Sequence, residues 1–293
     1  MRYCCFRFDA DTHQCVAKGI PNLVRLADRF GVKFTFFVNM GRAFDRRISI
    51  GRAVARLRKR SNEASMPAAR KLGLGPFLRA AILNPKAGLS YPQILKSASE
   101  AGHEIGLHGG RNHARWERDA HRWGERRLRD EIQWGIQAME RCRLKPPVSF
   151  ASPAWNSPDL LPKILPAMGF RYLADIHDPD QAEPARVDGA LLNIPTNITG
   201  GDSGIGYFEF MRLRGLNATR VAHEFEARLR LSRRMSMVYD HPFYAGVHAL
   251  DEVSGMIRIA LDLGFIVTTI SEAMEKMTEE LPRNELAPNC WKN

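Results

Sequence analysis

No run of about 18 consecutive apolar residues, the length that a membrane-spanning helix needs, occurs in the sequence. The first residues also lack the apolar stretch and the small-residue cleavage site of a secretory signal. We therefore expect a cytoplasmic protein without a membrane span. Internal repeats and low-complexity tracts are absent too, and a length of 293 residues suits one large α/β domain or two smaller ones.

Cysteine is scarce and follows no pattern. The count of five is odd and has no framework spacing, which argues against a disulfide scaffold. Cys4 and Cys5 are adjacent, so in a strand they would point to opposite faces and serve poorly as joint metal ligands. We expect free thiols in a reducing compartment for Cys4, Cys5, Cys15, Cys142 and Cys290.

Positive charge is in excess, but in one segment only. The chain carries a net charge of +11, and the span from Arg42 to Lys86 holds twelve basic residues against two acids, Asp45 and Glu63. The remainder of the chain is close to neutral. Basicity that is confined to one segment is not a property of the whole fold, so it predicts a localised anionic partner.

Strand-like and helix-like segments alternate along the chain, which predicts parallel strands joined by crossover helices. About seven strands favour a barrel-like sheet over a three-layer sandwich. We predict strands at 2–8, 33–38, 103–108, 148–150, 170–173, 191–194, 235–239 and 265–268, and helices at 19–31, 91–101, 125–142, 157–168, 250–263 and 271–277.

Carboxylates and imidazoles follow four of these strands. In folds of this kind the catalytic residues lie where strands end and loops begin, at the C-terminal edge of the sheet. If the sheet closes, these four strand ends would meet at one rim. The residues concerned are Asp9 and Asp11, His108, Asp175, and the pair Asp240 and His241.

The segment from Asp9 to Asp11 has two carboxylates that repel one another and need a cation or a shared proton. Farther along, His108 and His113 lie in the sequence His-Gly-Gly-Arg-Asn-His. One Asp with two His is a normal ligand set for catalytic Zn²⁺, and it leaves a position open for water. The alternative for His108 is a core or capping histidine.

His241 follows a predicted strand and stands beside Asp240. A histidine in this setting could serve as the general acid for a leaving amine. The alternative is a histidine of a surface loop, and the residue by itself does not decide between them.

These motifs, in this order, resemble the polysaccharide deacetylase (NodB-homology) family from about residue 2 to residue 269. Within that family they look closest to the branch that deformylates a formamido-arabinose carried on undecaprenyl phosphate. The motifs are Arg-Phe-Asp-Ala-Asp-Thr from Arg7, Gly-Ile-Pro from Gly19, Thr-Phe-Phe from Thr35, Gly-His-Glu-Ile-Gly-Leu-His-Gly from Gly102, the strand end with Pro153, and the late strand end at His241.

The resemblance implies a distorted (β/α)₇ barrel over residues 1–280, with a basic helical insertion at 42–90 after the second strand and an irregular tail at 281–293. It implies Zn²⁺, or another divalent ion such as Co²⁺, Mn²⁺ or Ni²⁺. By resemblance, Asp9 would be the general base, Asp11 and His108 metal ligands, and His241 the acid. The backbone at Ala154 and Trp155 would hold the oxyanion.

The sequence departs from the family pattern in two places. The family's third ligand would fall at position 112, which is Asn112 here, while the imidazole stands one residue later at His113. We favour His113 as the ligand because imidazole binds zinc much better; weak binding by the Asn112 amide oxygen and loss of the metal are the alternatives. The arginine that usually orients the base is replaced by Ala151, as it is in the formamido-sugar branch.

Within the basic insertion, Arg52, Arg56, Lys59 and Arg60 recur at the spacing of one helix face. A basic amphipathic helix suits anionic lipid headgroups at the inner leaflet, or an anionic substrate, and the alternative is a solvated helix that packs on the barrel. We do not expect nucleic acid as a partner, because the segment contains no base-reading element.

The sequence leaves three functions open. The first is metal-dependent hydrolysis of an N-formyl or N-acetyl amide on an amino sugar, carried on polyprenyl phosphate, by a protein peripheral to the inner membrane. The second is a metal-independent cyclic amide hydrolase of the allantoinase type. The third is a non-catalytic protein that binds a membrane surface or carbohydrate.

Overall fold

The computed structural model describes residues 1–45, 84–178, 183–188, 191–201, 205–232 and 234–280. The predicted basic helix with Arg52, Arg56, Lys59 and Arg60 lies outside these residues, as does the tail at 281–293. The division into a domain over 1–280, with an insertion at 42–90, and a tail therefore stays a prediction.

One sheet of nine strands runs through the described residues, and all neighbours in it are parallel except β6 and β7. Its order is β6-β7-β5-β4-β3-β2-β1-β8, with β9 paired to the start of β1. The strands are β1 (Tyr3–Ala10), β2 (Thr35–Val38), β3 (Glu104–His108), β4 (Ser149–Ala151), β5 (Tyr172–His177), β6 (Ala185–Asp188), β7 (Leu191–Thr196), β8 (Met235–Asp240) and β9 (Ile266–Val267).

The sheet curls until its two ends meet. Just after β7, the backbone N–H of Ile198 donates to the Met237 carbonyl at 3.0 Å, and the Tyr239 N–H donates to the Ile198 carbonyl at 3.0 Å. This short bridge joins β7 to β8, so that β1, β2, β3, β4, β5, β7 and β8 surround one interior. The predicted α/β barrel type is confirmed, and the weak closure makes the barrel distorted.

Helices cover the outside of the strands. The described residues form α1 (Ile20–Phe30), α2 (Pro92–Glu100), α3 (His113–Asp119), α4 (Glu125–Arg141), α5 (Leu161–Ile164), α6 (Tyr207–Leu213), α7 (Ala218–Leu231), α8 (Pro242–His248), α9 (Leu250–Asp262) and α10 (Ile270–Glu280). Helix α1 ends as predicted at Gly31, whose φ of +66° suits glycine at a helix C-terminus. None of the described helices is long and apolar enough to cross a membrane.

The helix predicted over 157–168 is wrong in extent. Only α5 and a 3₁₀ turn over Pro166–Met168 form there. Pro158, Pro162 and Pro166 each lack a backbone N–H, so a continuous ladder of helical hydrogen bonds cannot run through the segment. Helices α3, α6, α7 and α8 were not predicted.

The alternation of strand side chains divides the core in two. On β1, Phe6 and Phe8 pack outward among the helices, while Tyr3 and Cys5 point into the barrel. Side chains of α10, among them Met274, close the lower end of the interior. By the same alternation, Arg7 and Asp9 follow Cys5 on the inner face, toward the open upper rim.

The described cysteines are unpaired, as expected, and all four are buried. Burial raises the pKa of Cys15 to about 11 and that of Cys4 further still. These thiols are therefore protonated near neutral pH and act as small apolar core residues.

Candidate active site

The rim that the strand ends were expected to form is present in the structure. Asp9 lies near the end of β1 and Asp11 directly after it, His108 is the last residue of β3, and His241 follows β8. His113 joins them from the first position of α3. The parallel strands deliver these side chains to one edge because their carboxyl ends all point the same way.

Three of these side chains surround one point. Asp11, His108 and His113 can each offer a ligand atom, and the three atoms lie within 4.8 Å of one another. Both imidazole Nε2 atoms are 3.2 Å from Oδ1 of Asp11. Of these atoms, Asp11 Oδ1 and His113 Nε2 are buried and make no hydrogen bond of acceptable geometry. One carboxylate oxygen and two imidazole nitrogens are a normal zinc donor set, so the residues present fit a divalent metal ion.

His108 is held in the orientation that a ligand would need. Its Nδ1 lies 2.9 Å from the carbonyl oxygen of Ala151, on the neighbouring strand β4. A carbonyl can only accept, so this contact places the ring proton on Nδ1 and leaves the lone pair of Nε2 facing Asp11.

Asn112 faces away from the three candidate ligands. Its Oδ1 accepts a hydrogen bond from the Arg115 N–H at 3.0 Å, and its Nδ2 donates to the Phe44 carbonyl at 3.0 Å. Asparagine is among the preferred N-cap residues, and here it caps α3. Because position 112 is the cap, position 113 begins the helix and its imidazole is the one that turns toward Asp11.

The same loop is held by the backbone that follows β2. The His113 N–H donates to the Arg42 carbonyl at 2.9 Å, and the Arg42 N–H donates to the Arg111 carbonyl at 3.0 Å. Gly41 permits this approach, since a Cβ at that position would lie 2.1 Å from the Arg111 carbonyl oxygen. The backbone of 41–44 thus braces the loop that carries His113.

Asp9 stands beside these three residues but is held by a different partner. Both of its carboxylate oxygens accept from Arg7, at 2.9 Å from Nε and 2.8 Å from an Nη. Its Oδ2 is 3.8 Å from His108 Nε2, which is too far for a hydrogen bond. The two carboxylates that the sequence presents as a pair therefore have separate surroundings.

His241 lies beside the other carboxylate oxygen of Asp11. Its Nε2 is 3.2 Å from Asp11 Oδ2 and 3.0 Å from the Tyr239 hydroxyl. Oδ1 of Asp240 accepts from the backbone N–H of His241 at 2.7 Å. Burial raises the pKa of Asp240 to about 7. Asp240 thus positions the His241 backbone, and the ring remains directed at the site.

The local charges are mutually stabilising. Burial raises the pKa of Asp11, but His113, His108 and His241 outweigh it and hold that pKa well below its usual range. Burial lowers the pKa of His113, and the Asp11 carboxylate more than compensates, so the net shift is upward. The site therefore favours an ionised Asp11.

The loop after β4 brings Ala154 and Trp155 to the rim in an uncommon backbone conformation. Both have φ of +52°, in the left-handed region that residues with a Cβ rarely adopt. The Trp155 N–H already donates to the Ser152 carbonyl at 3.1 Å. Of the two residues expected to hold an oxyanion, Trp155 thus has its N–H engaged, and Ala154 is exposed.

The aromatic wall that Trp155, Tyr239 and His177 form at the rim was not identified from the sequence. The Trp155 ring lies 4.7 Å from that of Tyr239 and 5.4 Å from that of His177, measured between centroids. Burial raises the pKa of Tyr239 well above its usual value, so its hydroxyl stays protonated beside His241. Inward alternation on β8 could have identified Tyr239, because Met235, Met237 and Tyr239 share one face.

The chain is similar to one protein family and to two curated proteins. The polysaccharide deacetylase family model matches residues 4–173. A Shewanella sediminis protein described as a 4-deoxy-4-formamido-L-arabinose-phosphoundecaprenol deformylase is 29% identical over 173 residues, which are 58% of this chain and 55% of that protein. A Wigglesworthia glossinidia brevipalpis protein with the same description is 24% identical over 277 residues, 90% of each chain.

The fold is shared with a solved structure of a Mycobacterium smegmatis protein described as a polysaccharide deacetylase. The two have a TM-score of 0.63 and 21% identity, over 98% of this chain and 94% of that one. The segment that matches the family model contains Asp9, Asp11, His108, His113 and Ala154. Enzymes of this family hydrolyse carbon–nitrogen bonds. The chain belongs to the polysaccharide deacetylase family.

Proposed function

We propose that this protein hydrolyses an N-formyl or N-acetyl amide on an amino sugar, with a divalent metal ion held by Asp11, His108 and His113. The observation that carries the proposal is the grouping of three donor atoms within 4.8 Å, two of them buried without a hydrogen bond, beside a separately held carboxylate. A structural cluster of polar residues would satisfy its own hydrogen bonds, and this one leaves them open toward a cation.

The proposed roles divide the reaction among the side chains. When bound, a divalent ion supplies Lewis acidity that acidifies water and polarises the acyl carbonyl. Asp9 takes the proton from the attacking water, and the backbone N–H of Ala154 donates to the developing oxyanion. His241 gives a proton to the sugar nitrogen as the carbon–nitrogen bond breaks. The products are formate or acetate and the free amine.

The proposal extends to the carrier of the sugar and to where the protein acts. The printed descriptions of both curated relatives include a formamido-arabinose on phosphoundecaprenol. The localised basic segment between Arg42 and Lys86 supports an anionic, lipid-linked substrate at the inner membrane surface. We propose a cytoplasmic protein that is peripheral to that membrane, with Zn²⁺, Co²⁺, Mn²⁺ or Ni²⁺ as the ion.

Removal and return of the metal tests the proposed chemistry. We expect the purified protein to release formate or acetate from N-acyl amino sugars, to lose this activity after chelation, and to regain it with Zn²⁺, Co²⁺, Mn²⁺ or Ni²⁺. Substrates with and without a polyprenyl phosphate should be assayed in parallel, because a higher kcat/KM for the lipid-linked form would support the carrier. Activity that resists chelation would favour the metal-independent cyclic amide hydrolase, and no acyl release from any substrate would favour the non-catalytic alternative.

Replacement of His241 by alanine should reveal the proposed acid. We expect kcat for the amide to fall by about 10²–10⁴-fold, the usual contribution of a positioned acid. An ester with a nitrophenolate leaving group should be affected much less, because that group departs without protonation. The matched control is His177→Ala, which removes another rim histidine and should show no dependence on the leaving group. An equal loss on the amide and the ester would contradict the assignment of His241 as the acid.

A further inference from the structure

Arg7 is a fully buried cation, and all of its hydrogen-bonding nitrogens have partners inside the barrel. Its side chain has no exposure to solvent. Nε and one Nη donate to the two oxygens of Asp9, at 2.9 and 2.8 Å. The other Nη donates to the Ala174 carbonyl at 2.6 Å and to the Thr196 hydroxyl at 2.9 Å. The guanidinium is therefore fixed from β5 and β7, on the far side of the barrel from β2.

Three aromatic rings enclose the same guanidinium. Its Cζ lies 4.9 Å from the centroid of Trp155, 5.2 Å from that of Phe37 and 5.4 Å from that of Tyr239. Burial lowers the pKa of Arg7, but Asp9 outweighs that effect, so the residue stays charged. A cation among ring faces and opposite one carboxylate has a single stable orientation.

Among the described residues, Arg7 is the arginine that pairs with Asp9, while His108 Nε2 stays 3.8 Å from its Oδ2. Position 151, where the family pattern has an arginine, carries Ala151, which is buried on the inner face of β4. Arg7 and Asp9 are two residues apart on β1, so both point inward and the pair can form within one strand. A buried carboxylate requires a nearby positive charge, and for Asp9 that charge is provided by Arg7 on the same strand.

We propose that Arg7 is the positioning residue for the base, and that it replaces from β1 the arginine that this chain lacks after β4. This inference rests on the proposed function of Asp9. The paired bonds fix the plane of the Asp9 carboxylate and leave its remaining lone pairs for the attacking water. The aromatic cage in turn fixes Arg7, so Trp155 links the base to the loop that carries Ala154. A lysine could not replace the guanidinium, because it has no fork of parallel donors.

Chemical rescue distinguishes this role from a structural one. In Arg7→Gly, a guanidinium-sized space opens beside Asp9, and we expect kcat to fall by about 100-fold or more, within the range for a mispositioned base. Guanidinium chloride at millimolar concentration should restore at least part of kcat with saturation, whereas urea, which has a similar planar shape without the charge, should not. Metal affinity, measured by calorimetry, should stay within about threefold, because Arg7 contacts none of the proposed ligands.

Arg7→Lys is a second variant, which tests the same inference if Arg7→Gly does not fold. We expect it to bind metal normally and to lose kcat with little change in KM. The inference is overturned if either folded variant retains the activity of the unaltered protein, or if the loss of kcat in both is matched by a loss of metal affinity and guanidinium gives no rescue. An unaltered protein without hydrolase activity would instead contradict the proposed function.

Discussion

Replacement of Asp9 by asparagine should reduce kcat by about 10²–10⁴-fold while the metal still binds, because a positioned general base contributes about that factor. Asp9 lies outside the group formed by Asp11, His108 and His113, and its carboxylate is engaged by Arg7. Asparagine keeps one acceptor oxygen but cannot take a proton at neutral pH. Steady-state kinetics and calorimetric titration with Zn²⁺, performed on the same preparation, measure the two effects separately.

The same substitution should lower stability, because it leaves the Arg7 charge buried without its counter-charge. Removal of one partner of a buried ion pair costs about 3–5 kcal/mol, so the melting temperature of Asp9→Asn should be recorded beside its kinetics. Asp9→Glu restores the charge but moves the carboxylate by one methylene. It should regain stability more fully than activity. Full activity of Asp9→Asn would contradict the base assignment, and so would a loss of activity that follows the loss of metal alone.

Asp175 offers a matched control for this experiment. It is another carboxylate at the rim, half-buried, and its Oδ1 accepts from the Ser152 N–H at 2.6 Å. Burial raises its pKa. Asparagine can accept the same hydrogen bond through its amide oxygen, so we expect Asp175→Asn to retain kcat within about tenfold, well above Asp9→Asn.

Replacement of His113 by alanine should abolish high-affinity metal binding and with it the activity. Removal of a residue that only hydrogen-bonds a metal ligand typically lowers metal affinity by about 10- to 100-fold. The loss of metal affinity in His113→Ala should be larger, because one of three proposed ligands would disappear. Calorimetry with Zn²⁺, and activity at rising Zn²⁺ concentration, measure this directly. Tight binding by His113→Ala would exclude this residue as a ligand.

The neighbouring position supplies the control. Asn112→Ala should keep metal affinity nearly unchanged and should cost about 0.5–2 kcal/mol of stability, the usual value of an N-cap, plus the bond to Phe44. The double variant Asn112→His with His113→Ala should not recover metal binding, because position 112 faces Phe44 and Arg115. Recovery of metal binding in that variant would mean that the loop can shift by one residue. The family spacing alone would then decide which position provides the ligand.

Much of the site could be predicted from local sequence patterns. The alternation of strands and helices predicted parallel strands, and parallel strands place their ends at one edge. Asp9, Asp11, His108 and His241 each lie at or just beyond the end of such a strand, so their approach to one rim required only that the sheet curl. The family motifs then suggested a role for each residue, and the match over 4–173 confirmed the family.

Other features were beyond such patterns. Three prolines break the segment over 157–168, but a proline near the start of a segment is also a common helix-start signal, so Ser157 and Pro158 predict a helix there. Asn112, the residue that caps α3, also stands where the family pattern has a metal ligand, so the sequence does not distinguish the two roles. The aromatic wall of Trp155, Tyr239 and His177 combines three separate strand ends, and no local spacing links them.

The sequence by itself determined which side chains stand at the rim and which face of each strand they share, because strand alternation is a local property with a period of two residues. Only the tertiary structure decided their partners. Arg7 could have paired with any acid near the inner face, and it meets Asp9 because Ala174, Thr196 and three rings fix its position. His113 turns inward because Asn112 is bound to Phe44, 68 residues away along the chain. Contacts across such separations depend on how the sheet closes, and no short stretch of sequence contains that information.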